Sequence, residues 1–343
     1  MEPKRRSLLK RLFWVLAVRD AYCAALLGRP FRLNIAQCNT DALTLDDFDH
    51  EENCNSEDHK QCQLHGHYQI QVSKLSIILR NIVEARFAPG KDTSHTVYLH
   101  NNLDGWQSEL PASMSWWLQQ SATTNTFALS LKISFNLQLI LIHLKRPDEV
   151  EAAAVRGASI ESNASNPSSQ IAESAAQMIS STAFTIMTNS MLGVMPHEVF
   201  FGFFVSGIVF YRAMKQQQDT LACSSRSALD NCQMVISEAR ERWDPANWVM
   251  RIFDFLLSTS INTPNSGTQA EWDRSTPANY PSGPGIPYYN DNGVPDMAPE
   301  DDILHSIDFD SPTYQGMSSM ANEFFLMSNY LPMPTGDMSY MAM

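Results

Sequence analysis

The chain has 343 residues, 44% hydrophobic and 18% charged, so a sizeable core can form in one large or two ordinary domains. Its net charge of −13 excludes a chain that wraps nucleic acid by itself, because phosphate binding is driven by Lys and Arg. Six cysteines in this length exclude a disulfide scaffold and point to a reducing compartment.

Charge is unevenly spread. Residues 1–33 are basic, 41–58 are acidic, and beyond Ser260 Arg274 is the only Lys or Arg. The N-terminal run LFWVLAV is at the lower limit for a signal-peptide core, and Arg19-Asp20 follows it directly, so it does not read as a secretory signal. Residues Ser7 to Leu27 read as a helix. Leu8, Leu12 and Leu16 recur at one helical spacing, as do Leu9, Phe13 and Ala17, and Trp14, Val15 and Val18 extend the apolar surface nearly all round. Gly28 fits the position just past the helix end, where φ is often positive, and Pro30 prevents continuation.

An irregular acidic connector is expected over residues 31–67. A second helix follows from Ile70 to Phe87, with Val72, Leu75, Ile78, Leu79 and Ile82 on its face. Pro89 to Ala112, punctuated by Gly, Asp and Asn, reads as a loop. A third helix is expected from Ser115 to Leu144, and 148–169 read as a weakly ordered linker. Four more helices are expected: Gln170 to Met191, Pro196 to Gln218, Ala228 to Arg242 and Pro245 to Leu257. The run Val199 to Tyr211 is too short for a membrane span of about 20 residues and reads as a buried helix. The expected fold is therefore an all-α body over residues 1–258.

Residues 259–343 differ, being dense in Pro, Gly, Asn, Ser and Met. They read as a disordered acidic and hydrophobic tail, because such a segment cannot offset its ordering entropy by burial. Two clusters set apolar groups beside acids: Ile303, Leu304, Ile307 and Phe309, then Phe324, Phe325 and Leu326. Acids that keep apolar groups in solvent are the composition of an activation region, whose partner is a coactivator groove. An inert tail is the alternative.

No phosphate-binding, dinucleotide-binding, nucleophile-elbow or H-E-x-x-H signature occurs, so no catalytic residue is assigned. The stretch CNSEDHKQCQLHGH supplies Cys54, Cys62 and His65, ligand types that zinc prefers. Its spacing matches no structural zinc site, and a solvated polar loop is the reading adopted. Lys4, Arg5 and Arg6 form a candidate nuclear import patch, with an ordinary basic helix start as the rival.

The stretch KRLFWVLAVRDAYCAALLGRPFRL resembles the central motif of the fungal-specific transcription factor domain, the regulatory region of fungal zinc-cluster regulators. The matching positions are Lys10, Arg11, Leu12, Phe13 and Trp14, then Arg19 and Asp20, then Gly28, Arg29 and Pro30. CNTDALTLDDFD resembles the acidic connector of that domain, KLSIILRNIV the next helix, and LILIHLKRP, with His143, Arg146 and Pro147, a later landmark. Cutinase and lipid-metabolism activators are the most similar subfamily. The six-cysteine DNA-binding module of the family is absent, and the helices that usually precede the motif are not seen. The resemblance thus implies the C-terminal part of a longer nuclear regulator of RNA polymerase II genes. DNA contact and zinc would belong to an upstream module, and this chain would need no cofactor and no membrane. Helix one, apolar all round, should then leave exposed surface. A homo- or heterodimer stays open. The alternatives are a stand-alone interaction protein that titrates a related regulator, and a helical metal-dependent protein using Cys54, Cys62 and His65.

Overall fold

The computed structural model describes residues 3–48, 56–87, 95–118, 125–145, 167–216 and 219–261. The described residues are all-α: α1 Pro3–Leu27, α2 Ser56–Phe87, α3 Thr96–Ser108, α4 Thr126–His143, α5 Pro167–Thr188, α6 Glu198–Gln216, α7 Asp219–Glu238 and α8 Ala246–Ile261, with no strand among them. Helices α1 and α5 both start on proline, which is preset for the first helical position and lacks a donor that would be orphaned there. Helix α1 ends as its sequence dictates. Gly28 takes φ 63°, and the Arg29 N–H closes back on the Ala24 carbonyl at 3.2 Å.

Helices α4 and α6 form the centre. Helix α4 packs against α2, α3, α5 and α6, while α6 packs against α5 and α7 and touches α1. The run Val199 to Tyr211 is buried along its whole length, as expected of a core helix. Small residues let it lie close to its neighbours. A Cβ on Gly207 would stand 2.4 Å from the Phe253 ring, and one on Gly202 would stand 2.8 Å from Ile133. Phe200, Phe203, Phe204 and Phe253 are fully buried there, each worth roughly 2–3 kcal/mol of transfer free energy.

Four expected boundaries are corrected, one being α7, which runs from Asp219 to Glu238 and not from Ala228 to Arg242. Helix α2 starts at Ser56, fourteen residues before Ile70, so the later part of the expected 31–67 loop is helical. The reason is a continuous apolar stripe: Leu64 and Tyr68 extend Val72, Leu75, Leu79 and Ile82 at steps of three and four. The expected loop from Pro89 to Ala112 holds α3, whose Leu99, Leu103 and Trp106 are buried one turn apart despite the Asn and Gly between them. The expected third helix starts not at Ser115 but at Thr126. There the Asn125 side chain caps the first turn, accepting from the Phe127 N–H at 2.9 Å. Most of the expected linker over 148–169 and the tail from residue 262 lie outside the described residues.

Candidate functional site

The residues of the basic–aromatic motif fold into one unit at the junction of α1, the connector and α2. Asp20, near the end of α1, is largely buried. It accepts the backbone N–H groups of Arg32 and Leu33 at 3.0 Å each, and its Oδ2 lies 2.6 Å from Arg80 Nη2 on α2. Arg80 also donates to the carbonyls of Leu33 (3.0 Å) and Ala17 (3.3 Å), and its guanidinium lies 4.4 Å over the Phe31 ring. A planar fork with several donors serves this geometry, and a lysine would not. Burial pushes the Asp20 carboxyl up, but the two N–H donors and Arg80 outweigh it and hold the group below its ordinary value. The Gly28-Arg29-Pro30 turn therefore aims the chain back across α1, so that Asp20 and Arg80 clamp the residues that follow.

A second clamp lies nearer the start of α1. Lys10 Nζ sits 2.6 Å from Asp47, which also accepts from the Thr44 N–H (2.9 Å) and hydroxyl (3.2 Å). The Trp14 indole donates to the Asp41 carbonyl at 2.9 Å. Trp14, Ala17 and Leu43 form a small separate core that Phe13, Leu33, Ile35, Phe48 and Ile70 complete. Arg11 lies over the Phe48 ring at 5.6 Å. The histidine-rich stretch takes part here in an unexpected way. A Cβ on Gly66 would stand 3.1 Å from Phe48 and 3.3 Å from Leu45, so this glycine lets the connector press onto α2.

The remaining candidates divide by burial. Lys4, Arg5, Arg6, Arg29 and Pro30 are exposed, as are Leu8, Leu9, Leu12, Val15 and Leu16 of α1. Arg19 is half exposed and pairs with Glu198 of α6 at 3.1 Å. Cys62 is half-buried. His65 is exposed, hydrogen-bonded to Gln61 at 3.0 Å and edge-on to Phe127. Cys54 lies outside the described residues, as do Ile303, Leu304, Ile307, Phe309, Phe324, Phe325 and Leu326. Among the described residues no three His, Cys, Asp or Glu side chains stand together as metal ligands.

Sequence reasoning missed two partners. Arg80 interrupts the apolar run of KLSIILRNIV between Leu79 and Ile82, whereas Lys74 only opens it, and a cation set within that run was the available signal. His143, at the end of α4, shares a 2.7 Å hydrogen bond with His100 of α3, and His100 faces Asp104 at 3.2 Å. Burial, with His100 and Arg86 nearby, lowers His143 to about 4. No spacing rule links residues 43 positions apart, so that pair could not be read from sequence. An open cleft of about 720 Å³ flanks the Asp20–Arg80 clamp, walled by Pro30, Phe31, Leu33 and Ile77. Its buried charge, Arg80, is already engaged, so the cleft offers mainly an apolar wall.

No protein-family model matches the chain, and no solved structure matches it. Among curated proteins it is 22% identical over 261 residues to the cutinase transcription factor 1 alpha of Fusarium vanettenii, covering 75% of this chain and 28% of that protein. It is 22% identical to the acetamidase regulatory proteins of Aspergillus oryzae, over 255 residues (73% of this chain, 30% of that protein), and of Aspergillus fumigatus, over 280 (78% and 34%). The chain spans about a third of the length of these relatives. Its curated relatives are thus fungal regulators of transcription.

Proposed function

We propose that the chain is the regulatory and activation portion of a fungal transcription regulator acting on RNA polymerase II genes in the nucleus. The observation that carries this reading is the clamp unit of α1. The motif residues that carry the resemblance, Asp20 and Lys10 above all, hold α1, the connector and α2 in one framework, and the aligned relatives are transcription regulators. In this reading the helical body presents or withholds residues 259–343, whose apolar clusters engage a coactivator. Contact with DNA, and zinc, belong to a module outside this sequence, and the chain itself uses no cofactor.

Tethering tests the reading. The whole chain is fused to a heterologous DNA-binding domain in a fungal host, and a reporter is read with and without residues 259–343. Activation that disappears with the tail supports the reading; an unchanged reporter overturns it. A second reading, an interaction protein that titrates a related regulator, is favoured by the exposed leucines of α1. It predicts no activation when tethered, and repression of a regulator supplied separately.

A further inference from the structure

We propose that the exposed leucine face of α1 is the docking site of the chain's own segment 300–310. The face is defined by geometry. At 100° per residue, positions 5, 8, 9, 12, 15, 16, 19 and 23 fall within an arc of about 120°. Leu8, Leu12, Val15 and Leu16 are 48%, 49%, 42% and 60% exposed, although the opposite side of the same helix is buried against α2 and the connector. A contiguous apolar stripe of this kind marks a contact surface, unlike scattered single leucines. Lys4 and Arg5 stand at one end of it, and Arg19, half exposed and already paired with Glu198 of α6, at the other.

Charge selects the occupant. A second copy of α1 running parallel would bring Lys4 and Arg5 against their own counterparts, and one running antiparallel would bring them against Arg19, whose acid, Glu198, is already engaged. The fitting partner carries apolar groups between two sets of acids. Within this chain the sequence EDDILHSIDFD has that order: Glu300, Asp301 and Asp302, then Ile303, Leu304 and Ile307, then Asp308, Phe309 and Asp310, with no Lys or Arg. The other apolar cluster, NEFFLMSNYL, has one acid, Glu323, against the three acids that precede Ile303, and complements the Lys4–Arg5 end less well. Reach is ample. Residues 262–300 can extend to about 130 Å, against a radius of gyration of about 17 Å for a body of this size.

Docking stands independently of the transcriptional reading. Its consequence rests on that reading: a docked segment 300–310 is withheld from a coactivator, so α1 restrains the tail.

The test uses the full chain with a zero-length carbodiimide, which joins amines to carboxylates in contact. Equal parts of light and heavy-isotope protein separate links within a chain from links between chains. The exposed Lys74–Glu109 pair, 3.7 Å apart, is the internal control. The expected result is a link from Lys4 to an acid of 300–310, within one chain only, that is lost in the exposed double substitution Leu8→Asp/Leu12→Asp while the control link persists. Links between chains, links to Glu323, or a control link without any link from Lys4 to 300–310 would each overturn the docking. In the tethered reporter, Leu8→Asp/Leu12→Asp should raise output severalfold. Lost cross-links with unchanged output would leave docking in place and overturn restraint of the tail.

Discussion

Arg80 of α2 lies 2.6 Å from Asp20 of α1, and both side chains are nearly inaccessible to solvent. The pair joins residues 60 positions apart and fixes where the chain goes after the Gly-Arg-Pro turn. Removing one partner of such a pair leaves a buried charge without its counterpart. Asp20→Asn should cost about 3 kcal/mol, and Arg80→Met in the same background should cost less than it does alone. Urea unfolding of the two single variants and the double variant measures the coupling. Additive losses would contradict it.

Two glycines should respond in opposite directions. Gly207→Ala forces a methyl against the Phe253 ring and should destabilise by about 1–3 kcal/mol. Gly105 lies within α3, and a Cβ added to it would meet nothing within 4 Å, so Gly105→Ala should stabilise by about 0.5–1 kcal/mol. Thermal denaturation of both variants checks the contrast.

Acid should act in two windows. His143 is lowered from 6.5 to about 4, so between those values the unfolded chain takes up a proton that the folded chain refuses. Stability is full above pH 6.5 and falls towards pH 4, by at most about 1.4 kcal/mol per pH unit for one such group. Asp20 and Asp47 are both held below their ordinary 3.8. Their contribution is present above that value and is lost as pH falls through their folded values. His143→Gln should flatten the upper window alone, and Asp47→Asn should reduce the lower one. Denaturation curves between about pH 3 and 7 test both.

The clamp of Lys10 on Asp47 predicts a local effect. Asp47→Asn or Gly66→Ala should loosen the connector from α1 and α2 without unfolding α4 to α8. The first removes the acceptor of Lys10, and the second adds an atom 3.1 Å from Phe48. Amide hydrogen exchange should quicken over residues 38–48 and stay slow in α6. Uniform quickening would show that the connector is no separate unit.

Much of the fold was legible because its helices bury a periodic stripe. The end of α1 was set by Gly28 and Pro30, and the all-round apolar character of α1 became an exposed leucine face. The start of α2 was misplaced because Cys, His and Gly66 masked Leu64 and Tyr68, the residues that continue its stripe. Gly66 serves close packing there, not a turn. Helix α3 was hidden by Asn101, Asn102 and Gly105, whose polar positions lie off its buried side. The motif residues, Asp20 among them, were found by resemblance. That the partner of Asp20 is Arg80 depends on how α1 and α2 cross, which no local pattern encodes.

The central claim is that this chain regulates transcription, and tethering tests it most directly. The full chain fused to a heterologous DNA-binding domain should activate a fungal reporter, and removal of residues 259–343 should abolish the activation. A reporter left unchanged both by the fused, folded chain and by its Leu8→Asp/Leu12→Asp variant would contradict the account.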